Sequence, residues 1–180
     1  MVIRLAYGLM LGLLGAVIVH VTVLFLLPLY SEQDAWSRLS AVGAPLQTIA
    51  IDGVSEGTPI GDNDPLFRSA ACRFDLSEGP VHVTASNGAP FWSASVYNRW
   101  GYNIYSFNDR ITISRDIDLL LASPAQMIEL RQDLPPVFEE SILVEVEDPL
   151  GIAVVRGFRP DGSYAQIIDD FLGSFRCISQ

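Results

Sequence analysis

The chain has 180 residues, 49% of them apolar, and its 21 Asp and Glu outweigh 11 basic residues to give a net charge of −10. All 11 basic residues are arginine, which excludes Schiff-base chemistry on lysine and a Walker-type phosphate loop. A pI near 4.4 argues against nucleic acid as a partner, because phosphate contacts need a basic surface.

The first element is apolar. Leu5–Tyr30, "LAYGLMLGLLGAVIVHVTVLFLLPLY", holds no Asp, Glu, Lys or Arg. A bilayer core needs roughly 20 apolar helical residues, so this run can cross with some tilt. A cleavable signal would have an apolar region of roughly 7–15 residues ending in small side chains. Here the run is longer and ends in the bulky "LFLLPLY". It is also apolar on every face, unlike the helix of a soluble core. Residues 1–30 are therefore read as an uncleaved transmembrane anchor. Arg4 and the amino terminus precede the span, and Glu32 and Asp34 follow it directly, with Arg38 a little later. The positive-inside rule then puts the N-terminus in the cytoplasm and residues 31–180 outside, in a bacterium the periplasm. The expectation is a single-pass protein of the inner membrane. His20 within the span has no acidic partner on its own helix and reads as a hydrogen-bonding ring rather than a proton or metal carrier. Gly8 and Gly12, in G-x-x-x-G spacing, and Gly15 would allow close approach of a second helix.

Residues 31–45, "SEQDAWSRLSAVGAP", read as a juxtamembrane helix and linker. Ser31 can cap, Glu32 and Asp34 sit in the positive first turn, and Gly43 and Pro45 close the helix. Trp36 and Leu39 share a face that rests on the domain or at the lipid boundary.

Residues 46–180 read as one β-rich extracytoplasmic domain. "LQTIAID" is a strand and "GVSEGTPIGDNDP" a loop. "LFRSAACRFDL" turns through "SEGP" into "VHVTA", and "NGAP" carries the Asn-Gly signal of a hairpin. "FWSASVYN", "NIYSFND", "RITIS" and "IDLLLA" follow as strands. "SPAQMIELRQD" is a helix capped by Ser123 with Pro124 at its first position and Met127, Ile128 and Leu130 on its apolar side. "SILVEVE" and "GIAVVRGF" are strands joined across "DPL", and Ile167, Ile168, Phe171, Leu172 and Phe175 recur at helical spacing near the end. The expected class is α+β: an N-terminal transmembrane helix, then a mainly antiparallel β domain with a few short helices.

Cys72 and Cys177 both lie outside the span. In an oxidising compartment such a pair favours a disulfide, which would pin the C-terminal helix to a core strand. The alternative is two buried thiols acting as small apolar groups. Two cysteines and one extramembrane histidine lack the ligand spacing of a metal site.

Residues 90–110, "PFWSASVYNRWGYNIYSFNDR", are the most patterned stretch. Alternation sets Phe91, Ser93, Ser95 and Tyr97 on one face and Trp92, Ala94, Val96 and Asn98 on the other, with Ile104, Ser106 and Asn108 opposing Tyr105, Phe107 and Asp109. Phe91, Trp92, Tyr97, Tyr105 and Phe107 are read as core and cross-strand packing. The polar members form the candidate ligand site: Arg99, Trp100 and Asn103 about the turn, and Asn108, Asp109 and Arg110 at the end of the second strand. Arg99 and Arg110 are the groups able to grip a carboxylate or phosphate in a fork.

These residues carry a resemblance. "DNDPLFRSAACRFDLSEGPVHVTA" followed by "PFWSASVYNRWGYNIYSFNDR" resembles the core of the bacterial domain of unknown function 1254 family over residues 60–122. The resemblance implies a mainly β envelope domain with no settled activity. It also implies, for short anchored members, partnership with a short membrane protein of the related domain of unknown function 1214 family. Asn98 stands where the family pattern more often has Asp, which weakens a catalytic role for that position.

No catalytic set stands out. His82, in "VHVTA", has Ser86, Ser93 and Ser95 as nominal nucleophiles but no G-x-S-x-G elbow. Asp62 and Asp64 in "GDNDP" read as turn caps, and Glu139 and Glu140 as a solvated face. No cofactor is implied. The functional expectation is a non-catalytic domain that docks a protein or ligand. The alternative is a periplasmic hydrolase-like enzyme using His82 or the Asp109–Arg110 region.

Overall fold

In the computed structural model, residues 2–30, 35–51, 64–86, 88–112 and 115–180 are described. The chain divides into two units, Met1–Asp34 and Ala35–Gln180. The first unit holds α1 (Val2–Tyr30). From Val2 to Leu26 it is long and apolar enough to cross a membrane, and none of that stretch is buried by protein. Within it the Thr22 hydroxyl donates to the Ile18 carbonyl at 2.8 Å, a bond inside its own helix.

The second unit begins with α2 (Ala35–Val42). The proposed capping by Ser31, Glu32 and Asp34 lies outside the described residues. Two sheets follow. Sheet A runs β1 (Thr48–Ile51), β2 (Phe67–Asp75), β8 (Leu150–Phe158), β4 (Trp92–Asn98) and β5 (Asn103–Asn108), all antiparallel. Sheet B runs β7 (Ile142–Glu145), β6 (Ile117–Ala122), β3 (Val81–Ala85) and β9 (Arg176–Ser179). Among the described strands only β6 and β7 pair in parallel, because α3 (Pro124–Gln132) provides the crossover that a parallel connection requires. α4 (Ala165–Ser174) precedes β9.

The strand alternation read from the sequence places the core. Trp92, Ala94 and Val96 of β4, with Ala70, Cys72 and Phe74 of β2 and Ala153 and Val155 of β8, face Val81, Val83, Ile117, Leu119 and Leu121 of sheet B. α4 adds Ile168 and Phe171, and Phe175 follows directly. Trp92 is fully buried. Its ring meets Phe107 edge-on at 5.4 Å and stacks with Phe171 at 6.1 Å, and its Nε1 donates to the Arg115 carbonyl at 2.8 Å, so the one polar atom it buries is satisfied.

α2 covers the opposite face of sheet A. Leu39 packs on Ala71 and Ile152, with Trp36, Ile49, Ile51 and Val154 around it. Of the two resting places expected for this helix, it takes the domain. Arg73 ties it down: Nη2 donates to the Gly43 carbonyl at 2.7 Å, and the guanidinium lies 5.1 Å from the Trp36 ring centroid. Burial pushes the Arg73 guanidinium below its ordinary value, because desolvation disfavours the charged form.

Several expectations change. The C-terminal helix stops at Ser174, and Cys177 sits on β9. The Cys72–Cys177 disulfide therefore staples sheet A to sheet B rather than a helix to a strand. "NGAP" does not join a hairpin, since β3 belongs to sheet B and β4 to sheet A; the turn at "SEGP" likewise takes the chain from β2 in sheet A to β3 in sheet B. "DPL" likewise joins β7 of one sheet to β8 of the other. The described part of "RITIS", residues 110–112, is turn rather than strand. In α3 the Ser123 cap and Pro124 are as expected, and Gln126 completes a capping box, yet Met127 alone is buried and Ile128 is exposed.

Candidate functional site

Strand pairing assigns the polar residues of 90–110 to two places. Chain arrival defines the proximal end of sheet A: residues 43–47 lead into β1, and the Leu46 amide donates to the Arg73 carbonyl at 2.8 Å. Arg73, Ile152, Tyr97 and Asn103 form the row next to that end. Asn108 lies instead in the row of Ser93, Arg156 and Ser69, toward the distal end. At roughly 3.3 Å per residue the two ends of this hairpin stand about 15–20 Å apart. Arg99 and Arg110 are thus at opposite ends and form no common anion fork.

At the proximal end a short turn is held by its own amide. Asn98 Oδ1 accepts from the Trp100 and Tyr102 backbone N–H groups at 3.0 and 2.9 Å. Gly101 supplies the left-handed backbone with φ +83°, which a side chain would strain. The Arg99 amide donates to the Leu150 carbonyl at 3.0 Å, and its guanidinium lies 4.6 Å from the Trp100 ring centroid. Asn103 Nδ2 donates to Ser106 Oγ at 2.7 Å, which donates to Ser95 Oγ at 2.8 Å. Asn103 is therefore committed to a ladder on the outer face of sheet A. A register shift between Val96 and Tyr97 breaks the alternation there, and Ile104, which the alternation set on the face of Ser106 and Asn108, packs against the core.

At the distal end Asn108 Oδ1 accepts from the Arg110 amide at 3.1 Å, and the Asp109 amide donates to the Trp92 carbonyl at 3.3 Å. Both side chains serve or border the turn. Beside them lies a cluster that the sequence reading did not gather. Phe91, read as core and cross-strand packing, is exposed and packs across strands. Its ring meets Phe158 at 6.0 Å, and Phe158 meets Phe67 at 5.4 Å. Leu66, next to Phe67 in the chain, and Ile111, beyond Arg110, are also exposed, and the Arg156 guanidinium lies 5.8 Å from the Phe67 centroid. Backbone bonds fix the platform: the Phe158 amide donates to the Phe91 carbonyl at 3.0 Å and that of Arg159 to the Leu66 carbonyl at 2.7 Å. The signal in the sequence was a phenylalanine at the start or end of three strands, which only the pairing of those strands brings together.

His82 does find an acid. Its Nε2 lies 2.8 Å from Asp118 Oδ1, and Ser141 Oγ donates to the same oxygen at 2.6 Å. Ser86, Ser93 and Ser95 are elsewhere. The carboxylate stands in the middle, so the serine gives its proton to Asp118 and not to the imidazole. Nucleophilic catalysis needs the hydroxyl to face the base, and Ser141 does not. Phe138 covers the ring edge-on at 5.1 Å. Asp64 Oδ1 accepts from the Leu66 amide at 3.0 Å, as a turn cap; Asp62 lies outside the described residues. Among the described residues no three His, Cys, Asp or Glu side chains gather to hold a metal ion. A groove of about 530 Å³ runs between the β1 edge and α4, with Thr48, Arg68, Asp169 and Arg176 on its walls.

Fold and surface define a disulfide-stapled, two-layer β-rich domain that follows an apolar helix. The sequence model of the family described as "Protein of unknown function (DUF1254)" matches residues 62–177, and the chain belongs to that family. Its fold is similar to that of the VPA0106 protein from Vibrio parahaemolyticus, with TM-score 0.54, 13% identity, 64% of this chain and 28% of that chain covered. A putative uncharacterized protein from Burkholderia cenocepacia aligns at TM-score 0.44 and 15% identity, over 71% of this chain and 37% of that one. The chain therefore spans only about a quarter to a little over a third of either solved protein. No curated protein matches it.

Proposed function

We propose that this chain is a single-pass protein of the inner membrane, its N-terminus cytoplasmic, and that its periplasmic sandwich docks another protein through the distal end. The helix Val2–Leu26, uncovered by protein, and the disulfide across the sheets support an anchor and an oxidising compartment. The observation that carries the docking reading is the distal platform. Phe91, Leu66 and Ile111 are exposed beside Phe67 and Phe158, with Arg110 at the margin. Aromatic rings with arginine at the rim are the composition of binding hot spots. Because the backbone bonds fix the platform in advance, binding loses little entropy. Asn108, Asp109 and Arg110 act here as the rim of that surface, not as an anion site. A short membrane protein of the domain of unknown function 1214 family is the partner the family resemblance implies.

The test is affinity purification of the full-length protein from gently solubilised membranes, beside Phe91→Asp and Arg110→Glu variants. A membrane protein that co-purifies stoichiometrically with the wild type and is lost from both variants is the expected result. Co-purification unchanged by the variants, or a protein that comes out alone, refutes the docking reading.

A further inference from the structure

We infer that the groove between the inner face of β1–β2 and α4 binds a small zwitterion of the α-amino acid type, its carboxylate at Arg176 and Arg68 and its ammonium at Asp169. The inference is independent of the docking reading, because the platform rings stand on the outer face of sheet A and the groove lies on the inner one. On β2, Arg68 shares the period-two face of Ala70, Cys72 and Phe74, which point toward sheet B. Gly157 of β8 stands opposite Arg68, and Ile168 of α4 fills the space above it, 2.9 Å from where a Cβ would sit. α4 therefore roofs this row, and Arg68 lines the groove beside it. The volume of about 530 Å³ falls within the range of small-molecule sites.

The walls are fixed before any ligand arrives. Thr48 Oγ1 and Arg176 Nη1 both donate to the Phe175 carbonyl, at 2.9 and 2.8 Å. The same Nη1 donates to the Gly173 carbonyl at 2.7 Å. Thr48 pairs with Cys72 across β1–β2, and Arg176 directly precedes Cys177, so the disulfide holds the two walls together next to these bonds. Nε and Nη2 of Arg176 have no partner among the described residues. The guanidinium is thus oriented while part of its fork stays available, and such a fork grips a carboxylate in two bonds. On the α4 wall Asp169 makes no hydrogen bond or ion pair among the described residues. These charges select the ligand. Inorganic phosphate gains from the arginines but is repelled by Asp169, whereas a molecule with an ammonium next to its carboxylate suits both walls. Ala50, Ala70 and Leu172 line the rest of the groove and leave an apolar stretch for a side chain.

The test is thermal unfolding of the full-length protein in detergent with each common L-amino acid added singly at about 5 mM, beside acetate, ethylammonium and inorganic phosphate. A ligand at about ten times its Kd raises the midpoint of a domain this size by roughly 3–6 °C. At least one amino acid should do so, and the three simple ions should not. In isothermal titration with that amino acid, Asp169→Asn, which removes no bond of the fold, should weaken binding about tenfold or more. Arg176→Gln should abolish binding, with near-ultraviolet circular dichroism as the check on its folding. If Arg176→Gln does not fold, Asp169→Asn alone decides. No shift with any amino acid overturns the inference. So does an equal shift with acetate or phosphate, or an affinity unchanged by Asp169→Asn.

Discussion

Replacing both Cys72 and Cys177 with alanine removes the one covalent tie between the sheets. The two residues are 105 positions apart, and Cys72 lies in the core opposite Thr48 and Ala153. In the chain-entropy treatment, cross-linking a loop of this size removes about 4.7 kcal/mol of freedom from the unfolded chain. A domain's whole stability is about 5–15 kcal/mol, so the loss takes a third or more of it. For a domain near 150 residues each kcal/mol moves the midpoint by roughly 2–4 °C, which predicts a fall of about 9–19 °C. Alanine is the right replacement because serine would bury an unpaired hydroxyl and add its own penalty. The assay is thermal unfolding of the full-length protein in detergent, followed by near-ultraviolet circular dichroism, with reductant-treated wild type as a second arm. Both arms should fall together. A midpoint shift below about 3 °C in either arm, or two thiols that react with maleimide in the unreduced, denatured protein, would refute the reasoning.

Other expectations follow from single contacts. Gly151→Ala sets a methyl against the Phe74 ring and 2.6 Å from the Tyr97 carbonyl oxygen; it should cost about 1–3 kcal/mol in urea unfolding by overpacking. Trp92→Ala empties the centre of the core and leaves the Arg115 carbonyl without its donor; a loss of about 3–5 kcal/mol is expected by the same measurement. The Asp161 carboxyl accepts from the Ser163 hydroxyl and amide, which holds it below the usual carboxylate value. A depressed folded value means its contribution is complete above the unfolded value near ~3.9 and fades as pH falls through the folded one. A carbon-detected NMR titration should show Asp161 ionising below the usual aspartate range, and Ser163→Ala should raise its midpoint. Asp118→Ala strips His82 and Ser141 of their shared acceptor and should cost about 1 kcal/mol, as a part-exposed hydrogen-bonding group does.

Much of the fold was legible because it depends on local pattern. The alternation in Trp92–Val96 places the core face of β4, since side chains on a strand have period two. Ser123 and Pro124 mark the start of α3 through a cap that needs only near neighbours. The apolar run of α1 is read from composition alone. What failed to show depends on which strands pair. Turn residues such as the Asn-Gly of "NGAP" suit a link within a sheet or between sheets, so β3–β4 looked like a hairpin. Arg99 and Arg110 looked like partners because a hairpin read as text hides the length of its strands. Phe67, Phe91 and Phe158 are far apart in sequence and meet only through the β2–β8–β4 register. Ser141 and Asp118 reach His82 across three strands of sheet B, a juxtaposition with no linear spacing. Cys177 was assigned to a helix because the periodicity of Ile168, Phe171 and Phe175 gives no sign of where α4 stops.

The most direct test of the central claim, an uncleaved anchor bearing an external domain, is protease accessibility of the tagged full-length protein in right-side-out and inverted membrane vesicles after alkaline carbonate washing. The account predicts that a 19.7 kDa chain with its original N-terminus stays in the carbonate-washed membrane. It also predicts that residues 35–180 are digested only in right-side-out vesicles. A protein released by carbonate, shortened at the N-terminus, or digested only in inverted vesicles would contradict it.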